Sequence, residues 1–142
     1  MGQSDNLNRF VQAQMRDYDI ALREIRAGKK NSHWMWYIFP QLRGLGRSST
    51  SEFYGLSGFA EARAYYENEL LGARLIEICN ALLLHTDKTA VEIFGDIDAK
   101  KLRSCMTLFH MVDPDCEVFS RVLACFFNGR EDRETLHKLE NE

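Results

Sequence analysis

Apolar residues recur every three to four positions along most of this chain, the spacing of one buried helical face. Leu7, Phe10, Val11, Tyr18, Leu22 and Ile25 mark such a face over residues 7–27, and Gln14 and Ala21 complete it. Asp5 or Asn6 is placed to accept from the first free amides, and Gly28 to take the left-handed turn that closes the end. The period returns over 58–67 with Ser57 as cap and Phe59, Ala62, Tyr65 and Tyr66 inward. It continues over 69–85, capped by Asn68, with Leu71, Leu75, Ile78, Leu82 and His85 on one side. A short turn at 89–94 stops at Gly95. Residues 97–111, opened by Asp96, carry Ile97, Leu102, Cys105, Met106 and Phe109 inward, and Asp113-Pro114 breaks the helix. Val118, Phe119, Val122, Leu123 and Phe126 form a face over 115–127, ended by Asn128-Gly129, and Asp132 caps a last helix over 132–140.

Two segments depart from this period. Residues 31–42, NSHWMWYIFPQL, mix strand-favouring rings with a possible cap at Ser32 and a stop at Pro40. No partner strand of similar quality exists, and a lone strand leaves its backbone unpaired, so a short buried helix is expected. Residues 43–57 read as a loop punctuated by Gly44, Gly46 and Gly55, with hydroxyls at 48–51 that follow no helical period. The sum is an all-α fold, a compact single domain over residues 1–142 with about seven helices and short connections. No internal repeat or linker interrupts it.

Composition narrows the class. The chain has 142 residues, 45% hydrophobic and 27% charged, which is globular rather than disordered. No apolar run approaches membrane length and the first ten residues lack a secretory apolar region, so a cytoplasmic location is expected. Cys79, Cys105, Cys116 and Cys125 form no C-x-x-C and sit beside apolar residues, so they read as reduced and structural, with no metal site and no cofactor implied. The net charge is -3, but Arg23, Arg26, Lys29, Lys30, Arg43 and Arg47 face only Glu24 between positions 23 and 47. A basic patch on an acidic protein suits a small anion better than an extended nucleic acid. A solvated surface with no partner explains the same cluster.

Four groups of residues carry candidate chemistry. His33, Trp36 and Tyr37 would share one side of a helix, with Trp34 pointing elsewhere. Rings beside cations suit a nucleotide-like ligand, with Trp36 stacking and His33 donating a proton; the alternative is simple core. Gly44 and Gly46 could converge backbone amides on an anion, helped by Ser48, Ser51 and either Arg43 or Arg47; the alternative is a surface loop that needs glycine for its turns. Lys101, Ser104 and Thr107 lie three apart along one helix and could line a pocket; Ser and Thr could equally bond carbonyls one turn back. Asp132 with Thr135 fits a helix cap, with a ligand contact as the alternative. Asp96/Asp98 and Asp113/Asp115 flank helix starts, where anions are favoured, and match no calcium loop.

The segment HWMWYIFPQLRGLGRSS from His33 resembles the bacterial family grouped as domain of unknown function 1810, sometimes labelled calpastatin-like. The resemblance extends from Arg9-Phe10 through Gly28-Lys29, Gln41, Gly44-Leu45-Gly46, Ser48, Ser51, Tyr54-Gly55, Glu61-Ala62, Ile93-Phe94-Gly95, Lys101, Ser104 and Met106–Phe109 to Gly129, Asp132 and Thr135. It implies an all-helical fold and brings no established activity. Calpastatin-type inhibitors are disordered repeats, the opposite of this aromatic-rich chain.

The expected function is binding of an anionic nucleotide- or ADP-ribose-like molecule, whether or not a reaction follows. The ligand would meet Trp36, Gln41, Arg43, Gly44, Gly46, Ser48, Ser51, Tyr54, Lys101, Ser104 and Thr107, with His33 as the catalytic candidate. If catalysis follows, phosphoester or glycosidic chemistry without metal is expected. The alternative is a protein-interaction or regulatory module in which the rings form core and an exposed contact surface. Nucleic acid is disfavoured as a partner, no membrane is expected, and oligomeric state is left open.

Overall fold

Buried faces meeting from several directions shape the architecture. The computed structural model describes residues 2–142, with side chains from Leu7 onward. The caps expected at Asp5 or Asn6 lie outside the described side chains. Among the described residues there are nine α-helices and no strand. They are α1 (Gly2–Ala27), α2 (Met35–Ile38), α3 (Ser49–Tyr54), α4 (Phe59–Glu67), α5 (Glu69–Leu82), α6 (Ala90–Phe94), α7 (Asp96–Val112), α8 (Glu117–Phe127) and α9 (Arg133–Glu140). The all-helical expectation holds, with the count near the expected seven.

Helix α7 is the axle. Leu102, Cys105, Met106, Leu108 and Phe109 are wholly buried because α4, α6, α8 and α9 pack around it. Helix α1 lays Phe10, Ala13, Tyr18, Ala21 and Ile25 against α2, α4 and α5. Gln14 is the buried polar exception on that stripe: its amide donates to the Tyr37 carbonyl at 2.8 Å and the Tyr65 hydroxyl at 3.0 Å. Burial of a hydrogen-bonding side chain requires such partners.

Several ends form as expected. Gly28 takes φ 81 after α1 and Asn128 takes φ 55 after α8. The Asn68 side chain accepts from the amides of Leu70 and Leu71, and Asp132 caps α9 through the Thr135 amide. Other ends differ. Gly58, not Ser57, precedes α4, and the free Phe59 amide is met by the Glu142 carboxylate at 2.9 Å. Ser32 does not cap α2; its hydroxyl donates to Glu24 at 2.6 Å. Residues 49–54, expected as loop, form α3 under a Ser48 cap. That helix buries no residue, so it leaves no apolar period to read. Ile97, expected inward, is 73% exposed, because α7 begins at Asp96 and its first turn runs past the core.

The segment around α3 is held at both ends. Arg43 N donates to Leu56 O at 2.8 Å and Leu56 N to Gln41 O at 3.0 Å, pairing the strands of chain that enter and leave the turn. This approach needs Gly55: a Cβ there would sit 2.6 Å from Arg43 Cα. Arg9 reaches from α1 to the Phe53 carbonyl at 2.8 Å and the Gly55 carbonyl at 3.1 Å. The same guanidinium grips the buried Glu61 carboxylate of α4 with two bonds, at 3.1 and 3.2 Å. Burial alone would raise the Glu61 carboxyl, but bonds from Arg9 and the Ser57 amide, with the Arg9 charge, hold it below the usual carboxylate range.

Candidate functional site

A groove of about 390 Å³ runs beside the first turns of α7. It is lined by the turn from Leu45 to Ser51 with Gln41, by Ile97, Lys100, Lys101 and Ser104 of α7, and by Asp132 and Glu134 at the start of α9. Two depressions adjoin it. One, of about 10 Å³, lies under Gln41, Ser51, Trp36 and Lys101; the other, of about 530 Å³, holds His33, Trp36, Ile97 and Lys101. Lys101 borders all three. A larger depression, about 610 Å³, is lined by α9 alone, so no second element closes it.

The fold brings Gln41, Gly46, Ser48, Ser51, Lys101 and Ser104 to the groove and Trp36 and Tyr54 to the niche beneath it. Ser48 donates to Ser51 Oγ at 3.0 Å, and Gly46 packs so closely that a Cβ would lie 2.4 Å from the Ser51 oxygen. Lys101 Nζ sits 5.1 Å from the Trp36 ring centroid, so one ring face is already taken and base stacking there would displace the ammonium. Asp98 draws two lysines together: Lys30 at 2.9 Å and Lys101 at 3.7 Å. Lys30 rests in turn 5.0 Å over Trp34.

Other expected residues go elsewhere. Gly44 takes φ 95 and faces Lys138, so the two glycines do not build one anion cradle. Arg43 points to the far side of the turn, 3.5 Å from Glu52. Thr107 is wholly buried; it donates to Arg103 O and accepts from the Asp132 amide, both at 2.8 Å, and so joins α7 to α9. Ser104 touches the groove floor but shares its hydroxyl between Lys100 O and Asp132 Oδ2, each at 3.2 Å. His33 is exposed in the neighbouring depression, and its imidazole makes no hydrogen bond among the described residues. The expected His33–Trp36–Tyr37 row fails because α2 begins only at Met35, after His33. Tyr37 turns inward to bond Asp17; burial and that carboxylate push its hydroxyl up to about 12. Trp34 is core, with its indole donating to Glu24 at 2.9 Å.

Leu45, Ile97, Lys100 and Glu134 are groove residues that sequence patterning does not single out. Lys100 carried no signal beyond ordinary surface charge. Ile97 was absorbed into the apolar stripe, although it is a residue too early in α7 to reach the core. Arg47 and Lys100 make no ion pair among the described residues. Among those residues no cluster of three or more metal-ligating side chains occurs, and no helix is long and apolar enough to cross a membrane. All four cysteines are free; Cys79 and Cys105 are buried, and burial raises both thiols well above their ordinary range.

A search of curated proteins finds no match to the chain. Among solved structures, the crystal structure of the conserved hypothetical protein Rv1873 from Mycobacterium tuberculosis is similar, with 44% identity and a TM-score of 0.93. The match covers 95% of this chain and 96% of that one. The family model described as "Protein of unknown function (DUF1810)" matches residues 4–139. The chain therefore belongs to the DUF1810 family.

Proposed function

We propose that the groove beside α7 binds a small anionic ligand of nucleotide or ADP-ribose type. The carrying observation is that Arg47 and Lys100, neither in an ion pair among the described residues, line the groove with Lys101. Asp132 and Glu134 also line the groove, so two carboxylates stand against the three cations Arg47, Lys100 and Lys101. Ser48, Ser51 and the Gln41 amide supply neutral hydrogen bonds along the same wall. A volume near 390 Å³ falls in the range of small-molecule sites. The exposed Ile97 offers an apolar surface for the uncharged part of such a ligand. His33 lies outside the groove without an orienting partner, so binding is proposed and no reaction is assigned. The reading goes with a bacterial cytoplasmic protein, in keeping with the bacterial solved relative and four free cysteines.

Thermal unfolding in the presence of AMP, ADP-ribose, inorganic phosphate and neutral adenosine tests this reading. A ligand at 100 times its Kd adds about 2.7 kcal/mol of stability. The charged compounds should raise Tm, and Lys101→Gln should blunt the rise. Equal response to adenosine, or none to any anion, would refute it.

A further inference from the structure

One of the residues around the niche under the groove carries an orphan donor. The niche volume, about 10 Å³, is room for one water-sized atom. Trp36 lines it, and the Trp36 indole N–H is buried with no hydrogen-bond partner. Buried donors are rarely left unmet, and the neighbouring Trp34 shows the ordinary solution, a carboxylate at 2.9 Å. Lys101, on the same niche, has its nearest carboxylate oxygen at 3.7 Å, beyond hydrogen-bond length. The Gln41 amide and the Tyr54 hydroxyl also border the niche and make no side-chain hydrogen bond among the described residues.

The chemistry of these groups selects the occupant. An indole N–H and an ammonium only donate, while the amide and the phenol can adapt. An amine or a cation would therefore meet the wrong groups, and a neutral hydroxyl would leave Lys101 with only a share of the Asp98 carboxylate, which Lys30 holds more closely. We infer that the niche seats a single oxygen of the ligand's anionic group, a phosphoryl or a carboxylate oxygen. Trp36 then acts through its N–H edge rather than as a stacking face, which agrees with Lys101 already lying over the ring. The remainder of the ligand extends toward Ser48 and Arg47. This inference rests on the proposed anion-binding function and sharpens it to one anchoring atom.

Indole NMR of the 15N-labelled protein tests it. The two tryptophans give two indole cross-peaks, and Trp36→Phe identifies its own by deletion. Titration with AMP should move the Trp36 peak downfield and leave the Trp34 peak in place. Inorganic phosphate and acetate separate the sources: a shift with phosphate alone assigns a phosphoryl oxygen, and a shift with acetate alone a carboxylate. Trp36→Phe should weaken AMP binding about tenfold, as loss of one charge-assisted bond does. Lys101→Met, which keeps the length of the side chain and removes its charge, should do the same and serves if the first variant does not fold. If AMP stabilises the protein while the Trp36 peak stays still and both variants bind normally, the niche assignment is overturned and the groove reading stands. If no anion stabilises the protein, both are overturned.

Discussion

Replacing Arg9 by Met removes a side chain whose hydrogen bonds tie α1, the α3 turn and α4 together. Arg9 makes two bonds to the buried Glu61 carboxylate and one each to the Phe53 and Gly55 carbonyls. Met fills similar volume but leaves the carboxylate with the Ser57 amide, at 2.8 Å, as its remaining neighbour of the two. Breaking one partner of a buried pair costs about 3–5 kcal/mol. At a urea slope of about 2 kcal/mol per M, the midpoint at pH 7 should fall by roughly 2 M. The deficit should depend on pH. In the wild type the depressed Glu61 carboxyl contributes stability above its unfolded pKa, about 4.3, and loses it as pH falls through the folded value. In the variant, burial without the guanidinium raises the carboxyl, so its penalty is felt at neutral pH and relieved by protonation. Both trends shrink the difference between the proteins on acidification. Urea unfolding followed by far-UV circular dichroism at pH 7 and about pH 4 measures it. A loss under about 1 kcal/mol at pH 7, or one that does not change with pH, would refute the reasoning.

Thr107→Val deletes the bond to Arg103 O and strands the Asp132 amide, so chemical denaturation should show a loss of about 1–3 kcal/mol with AMP-dependent stabilisation retained. Gly72→Ala brings a Cβ within 2.0 Å of the Tyr66 carbonyl oxygen, where α4 meets α5; a drop of about 1–3 kcal/mol is expected, and an unchanged Tm would show that the backbones separate freely. Glu24 is opposed by burial but held below the usual carboxylate range by bonds from Ser32, Asn31 and Trp34. Glu24→Gln should therefore cost about 1–2 kcal/mol at pH 7, and the two proteins should converge as pH falls below about 4.3, read by denaturant midpoints against pH.

Helices with a one-sided apolar face were legible from periodicity alone. The stripes of α1, α5 and α8 are such cases, and Asn68, Asp132 and Gly28 set ends where their chemistry requires. Helix α3 was not legible, because it buries nothing and is held by Arg9 and by the Leu42–Leu56 pairing, contacts 40 or more positions apart or across a turn. The same limit governed the site. Local chemistry picked out Gln41, Gly46, Ser48, Ser51 and Lys101, and the fold brings these together. It also picked out Arg43, Gly44 and Thr107, whose neighbours Glu52, Lys138 and Asp132 take them out of the groove. Run of sequence grouped Arg23, Arg26 and Lys29 with the site, yet all three are exposed and none borders the groove, whose cations are Arg47, Lys100 and Lys101.

Diffraction from crystals soaked with AMP locates the ligand and so tests the central claim most directly. The account predicts density beside α7, with a phosphoryl oxygen within hydrogen-bond reach of Trp36 Nε1 and Lys101 Nζ and the remainder along Ser48 and Arg47. Density at another surface, with the groove and the niche filled by solvent, would contradict it.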